Sequence, residues 1–120
     1  MATHNTDLID RLSRHQEINL SVTGRKSGRT ISIPVWFAAE DKKLYLLPVQ
    51  GTDTQWYKNV REKPSIRIDA GKAEAELKVV FISDAKEVAS VVENFRVKYG
   101  PTNVKKYYSK FDVAVLANLS

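Results

Sequence analysis

Between Thr30 and Ala38 the chain alternates with a period of two: Ile31, Ile33, Val35 and Phe37 fall on one side, Ser32, Pro34 and Trp36 on the other. An amphipathic helix repeats its apolar residues every three to four positions, so this segment reads as a half-buried strand. Pro34 sharpens the constraint. It has no N–H to give to a neighbouring strand, which puts this strand at a sheet edge or at a bulge. Trp36 shares the face of Ser32 and Pro34. Packing under an N-terminal helix, contact with a second copy and contact with a ligand are all open for it.

The rest of the chain falls into place around that strand. Ile18, Leu20 and Val22 predict a preceding strand, joined to it by a polar hairpin tip from Thr23 to Arg29. Further strands are expected at Leu44–Val49, Ile66–Ile68, Ala73–Ile82 and Val113–Leu116, six in all. Leu8, Ile9 and Leu12 give one stripe of a helix over Thr6–Gln16 with Thr6 as N-cap. A short helix over Gln55–Val60, capped by Thr52 or Asp53, is stopped by Pro64. The strongest helix opens at Ser83 or Asp84, with Glu87 at capping-box distance from Asp84. Its stripe is Val88, Val91, Val92 and Phe95, and Gly100-Pro101 ends it. Thr102–Ser109 predicts one more helical turn or two. Tight turns between most strands make the sheet largely antiparallel, and six strands on so small a core predict a barrel. The expectation is a β-rich α+β fold, with all 120 residues in one domain.

Composition removes several chemistries. There is no cysteine, so disulfides and thiolate catalysis or ligation are excluded. The two histidines, His4 and His15, lie near the start without metal-ligand spacing, and no metal site is expected. No apolar run approaches the roughly 20 residues of a membrane-spanning helix. Met1–Asp7 lacks a basic stretch followed by an apolar one, so neither a leader nor a transit peptide is read, and the cytoplasm is expected. The net charge of +5 favours anionic partners. Nucleic acid is disfavoured among them, because Trp36 and Trp56 are not interleaved with dense Lys and Arg. Glu74 and Glu76, two apart on a strand with Lys72 and Lys78 nearby, read as a charged outer face.

Three groups of residues can carry chemistry. In Thr23-Gly24-Arg25-Lys26-Ser27-Gly28-Arg29, three cations and a hydroxyl stand between and beside two glycines. Glycine permits positive φ, so successive N–H groups can converge on an anion, but a solubilising hairpin tip uses the same residues. The Gly-x4-Gly-Lys spacing of a nucleotide P-loop is missing. In Gln50-Gly51-Thr52-Asp53-Thr54-Gln55-Trp56-Tyr57-Lys58-Asn59, a loop leads into a helix that opens on two aromatics. Its N-terminal N–H groups attract negative charge, while either ring is equally a core anchor. Tyr99, Tyr107 and Tyr108, with Lys105 and Lys106, can line a pocket or form an amphipathic turn.

Leu20-Ser21-Val22-Thr23-Gly24-Arg25-Lys26-Ser27-Gly28-Arg29, then Ile33-Pro34-Val35-Trp36, then Trp56-Tyr57-Lys58-Asn59-Val60 and Lys63-Pro64 resemble the deazaflavin-dependent nitroreductase family. That family belongs to the split β-barrel flavoproteins, beside the pyridoxamine-phosphate-oxidase-like proteins. The similarity runs from about Leu20 to Asp69 and resumes at Tyr99 to Leu116. It implies a split β-barrel of the FMN-binding type with flanking helices, and a deazaflavin coenzyme (F-420) as cofactor. On that basis Arg25, Lys26, Ser27 and Gly28 hold the phosphate end, and Pro34, Val49, Gln50 and Gly51 line the ring. Trp56, Tyr57 and Asn59 position the loop and the phosphate. Tyr99, Tyr107 and Tyr108 are the candidates to face substrate and donate a proton. The chain departs from the family before Trp56, where one glycine, Gly51, stands instead of two in a shorter loop.

The resemblance implies reduction by hydride transfer from the reduced deazaflavin to an electron-poor acceptor such as a quinone, an enone or a nitro compound. FMN in the same fold is the alternative cofactor, and a non-catalytic cofactor-binding protein the alternative role. Monomer and homodimer are both open.

Overall fold

Ile18, Leu20 and Val22 do alternate with more exposed neighbours along a strand, and the strand they form is the second of a curved antiparallel sheet. The computed structural model describes residue 12 and residues 16–40, 42–70 and 73–119. Seven strands are found among them: β1 (Ile18–Thr23), β2 (Thr30–Val35), β3 (Ala38–Glu40), β4 (Lys43–Leu46), β5 (Ser65–Ala70), β6 (Ala73–Ile82) and β7 (Ala114–Asn118). Their order is β2-β1-β5-β6-β7-β4-β3, and every neighbouring pair is antiparallel. Three helices follow in the chain order α1 (Gln55–Glu62), α2 (Ala85–Tyr99) and α3 (Pro101–Tyr107), with a 3-10 turn at Gly51–Asp53. The result is the β-rich split barrel that the resemblance implies, with seven strands where the sequence reading expects six.

The strand expected over Thr30–Ala38 is two strands. β1 begins at Ile18, whose partner is Val35, so beyond Val35 there is no neighbour left to pair with. The chain turns at Trp36 and Phe37 and enters β3, at the opposite edge of the sheet. The sheet therefore curls until its two edges are joined by two residues. Pro34 sits opposite Asn19 on the edge strand β2, where its missing N–H costs no ladder hydrogen bond. β4 ends at Leu46 rather than Val49, ahead of Pro48.

Alternation along β4 and β7 sorts side chains into two cores. Leu44, Leu46, Val115 and Ala117 point into the barrel, where they meet Leu20, Ile66 and Ile68 and the Trp56, Tyr57 and Val60 side chains of α1. Tyr45, Ala114 and Leu116 point outward to a second cluster, built with Val88, Val91, Val92 and Phe95 of α2 and Val104 of α3. Burying each Leu, Ile, Val or Phe contributes about 1.5–3 kcal/mol. Asp84 caps α2 as expected, accepting from the Glu87 N–H at 3.1 Å, and Gly100 ends it with φ 93°. The helix expected over Thr6–Gln16 lies outside the described residues apart from Leu12, which is helical and fully buried in the inner core, and Gln16. No described helix is long and apolar enough to cross a membrane.

Candidate functional site

The β1–β2 hairpin closes on itself and on α1. Gly24 N–H donates to the Arg29 carbonyl (2.8 Å), Gly28 N–H to the Gly24 carbonyl (2.9 Å), and Gly28 has φ 72°. Ser27 Oγ accepts from Arg29 N–H at 3.2 Å. Arg25 turns away from this tip toward α1. Its N–H and its Nη1 both donate to Asn59 Oδ1, at 3.1 and 2.7 Å, and its Nη2 donates to Gln55 Oε1 at 3.0 Å. Asn59, only 5% exposed, is satisfied by this latch. Lys26, Ser27 and Gly28 stay exposed.

The loop before α1 is tied to the C-terminal segment. Thr52 N–H and Thr52 Oγ1 donate to the two Asp112 carboxylate oxygens at 3.1 and 2.8 Å. Lys110 Nζ lies 3.3 Å from Asp53 and 3.6 Å from Asp112. Partial burial would raise the Asp112 carboxyl, but the Thr52 hydrogen bonds and the Lys110 ammonium outweigh it and hold the group below its ordinary value. Thr52 and Asp53, expected to cap α1, are occupied in this way. Thr54 takes the N-cap position, and its hydroxyl accepts from Gln50 N–H at 2.8 Å instead of from the helix. No side chain caps α1, so its first N–H groups remain available.

A cavity of about 370 Å³ opens beside that helix end. Pro34 and Val35 of β2, Trp36, Leu47 and Val49 after β4, Thr54 and Trp56 at the start of α1, and Tyr107 and Tyr108 at the end of α3 wall it, with Glu17 and Ile33 completing the lining. Its lining side chains are apolar apart from the two tyrosine hydroxyls, the two tryptophan indole N–H groups, Thr54 and Glu17. On the other side of α1, a second depression of about 610 Å³ includes Arg25, Tyr57, Lys58 and Arg61.

Trp36 anchors the aromatic wall. It stacks on Tyr99 (centroids 4.2 Å apart, 8° between planes) and meets Tyr107 edge-on at 5.4 Å. The Tyr99 hydroxyl donates to the Phe37 carbonyl (3.0 Å) or that of Gln16 (2.5 Å), and accepts from the Phe37 N–H at 3.1 Å. It thus pins the corner between β2 and β3. Burial pushes its phenol up to about 12, against the opposing Phe37 hydrogen bond, with Glu17 adding to the rise. Lys98 completes the pin, donating to the Phe37 carbonyl at 3.0 Å with its ammonium 3.3 Å from the Phe37 ring centroid. Burial lowers it to about 8. The Tyr108 phenol is raised by burial, with Tyr99 adding to the rise, and it has no hydrogen-bond partner among the described residues. The residue borders both this cavity and a hollow it shares with Arg96, Val104 and Phe111, and its phenol stays neutral.

The residues implied by the family resemblance are thus divided. Pro34, Val49 and Trp56 come together around the cavity with Tyr107 and Tyr108. Arg25 and Tyr57 lie at the second depression, and Asn59 is enclosed with Arg25. Gln50 and Gly51 line neither. Gln50 pairs with Lys110, and Gly51, at φ 57°, packs so close to Asp112 that a Cβ would overlap the carboxylate. Tyr99 is a structural pin behind Trp36. The sequence reading missed Glu17, Leu47 and Lys98, and it held Thr54 only as part of the loop before α1. Only Thr54 left a signal, as the polar residue directly before the helix.

The profile of a family described as "Uncharacterized protein conserved in bacteria (DUF2255)" matches residues 8–115. The chain belongs to that family. No curated protein matches this DUF2255 chain. Among solved structures it resembles an F420-H2 dependent reductase (FDR-A) at TM-score 0.68 and 16% identity, over 87% of this chain and 95% of that one. It also resembles HutZ, the heme storage protein from Vibrio cholerae (TM-score 0.69, 11% identity, 94% and 87% covered). A Listeria innocua protein described as a candidate pyridoxamine 5'-phosphate oxidase gives TM-score 0.64 at 13% identity, with 95% and 90% covered. At these identities the likeness is one of fold: the DUF2255 chain shares the split barrel with proteins of differing roles.

Proposed function

We propose that this DUF2255 protein is a reductase that uses a deazaflavin coenzyme to reduce an electron-poor acceptor. The observation that carries the reading is the cavity beside the uncapped start of α1, because it offers a flat ring an apolar bed and an anionic tail a nearby positive end. Pro34, Val49 and Trp56 would bed the ring. The free N–H groups of α1 and the exposed Lys26 and Ser27 would meet the phosphate end. Arg25 supports the same end indirectly by fixing the hairpin to α1 through Asn59. The residues present therefore fit such a group. When bound, it would supply the hydride; the protein supplies binding, orientation and electrostatics.

The chain's own contribution to the chemistry centres on Tyr108. Its unpartnered, neutral hydroxyl at the cavity wall is suited to donate a hydrogen bond to an acceptor oxygen that gains charge. Tyr107 closes the cavity at its exposed side. Trp36, held by Tyr99, gives the acceptor a rigid aromatic wall.

The test is direct, because both tryptophans of the chain line the cavity. Titration of the purified protein with the deazaflavin coenzyme should quench tryptophan emission saturably and more tightly than FMN does. Tighter FMN binding would keep the site and change the cofactor. Saturable quenching without turnover over quinones, enones and nitro compounds would make the protein a carrier, and no binding of either coenzyme would end the reading.

A further inference from the structure

The cavity combines aromatic walls with one carboxylate. Trp36, Trp56, Tyr107 and Tyr108 all line it, and the Trp36 and Tyr107 planes stand 78° apart while Tyr108 is tilted 44° from Trp36. Ring faces are thus turned in more than one plane. Of the lining residues only Glu17 is charged, and it has no ion-pair partner among the described residues. In a chain of net charge +5, the charge on the cavity lining itself is the single carboxylate of Glu17. The chain's own cations show what such rings attract: Lys98 lies 3.3 Å from the Phe37 centroid and Lys106 5.3 Å from that of Tyr107. A ring face carries a negative quadrupole that draws cations, most strongly where water is excluded, and a nearby carboxylate adds to the attraction.

We propose that this cavity selects an organic cation, a planar N-alkylated heteroaromatic, seated against the Trp36 and Tyr108 rings with its charge toward Glu17. This deepens the proposed function by naming the class of acceptor, and it rests on that reading for turnover though not for binding. Neutral rings bind by apolar contact alone, and a negative charge placed at the cation's seat is disfavoured by Glu17.

Isothermal titration calorimetry without any coenzyme tests the selection, using N-methylquinolinium, its neutral isostere 1-methylnaphthalene and the anion 1-naphthoate. The cation should bind at least about tenfold tighter than the naphthoate. Glu17→Gln should weaken the cation about threefold or more and leave the neutral isostere within about twofold. Glu17 is exposed, so the variant should fold. As a second measurement on the unaltered protein, raising salt from about 0.05 to 0.5 M should weaken the cation and spare the isostere. Naphthoate or methylnaphthalene binding as tightly as the cation, or a cation affinity indifferent to both the substitution and the salt, overturns the proposal. If that happens while the deazaflavin still quenches tryptophan, the cofactor reading stands alone. Cation selection without coenzyme binding leaves the opposite.

Discussion

Arg25 and Lys26 are adjacent in the hairpin tip and do different work. Arg25 satisfies the buried Asn59 amide oxygen twice over. Arg25→Ala should therefore cost about 0.5–1.5 kcal/mol of stability, since the buried acceptor keeps the backbone N–H but loses the guanidinium. Thermal melts would show the loss, and an unchanged melt would mean the latch is unimportant. Lys26→Ala should leave the melt unchanged and weaken binding of the coenzyme, so it is the cleaner probe of the phosphate end. Gly51→Ala belongs at this scale too. A positive φ and the overlap with Asp112 together predict a loss of about 1–3 kcal/mol. Lys98 adds a pH dependence. Its proton is held less tightly in the fold (about 8) than in the unfolded chain (10.5). Between those values the unfolded state binds more protons, so this group's contribution to stability rises with pH. Tyr99, raised to about 12 from 10.0, opposes this only above pH 10. Urea midpoints at about pH 7.5 and 9.5 should rise more in the natural protein than in Lys98→Met; a parallel response in both would refute the assignment.

Among the elements, the corner between β2 and β3 matters most for the cavity. Tyr99→Phe removes the hydroxyl that bridges Gln16 and Phe37 and should cost about 1 kcal/mol, with a change in Trp36 emission as the stack on α2 loosens. Unaltered emission would show that stacking alone holds the indole. This corner also marks where sequence reading stops. The alternation of Ile31, Ile33, Val35 and Phe37 was legible because side-chain period is local. The break after Val35 was not, because it depends on where β1 begins, and that is a matter of pairing between distant residues. Helix α2 was readable to its cap because Asp84, Glu87 and Gly100 act within a few residues of themselves. The site divides in the same way. Pro34, Val49 and Trp56 were named from a resemblance and do meet at the cavity. Glu17 and Lys98 left no local mark, since their settings are made by Trp36, Phe37 and Tyr99 from elsewhere in the chain.

Over the whole molecule, β6 and β7 belong to both cores: Val79, Val115 and Ala117 face inward, Ile82 and Ala114 outward. Neither core can melt without disturbing the strands of the other. Phe95→Ala, at a fully buried position in the outer cluster, should cost about 3–5 kcal/mol and shift far-ultraviolet dichroism and tryptophan emission by the same amount. Separate transitions by the two probes would show that the cores melt independently. The place of β7 has a consequence for how the molecule is made. This strand lies between β6 and β4, pairing Leu116 with both Val80 and Tyr45. Until residues 114–118 have left the ribosome, the nascent chain holds two sheet fragments, β2-β1-β5-β6 and β4-β3, with β6 and β4 each showing an open edge. The sheet is completed by inserting this strand, and a ribosome pausing just short of it would leave β6 and β4 each open on a side that is paired in the finished sheet.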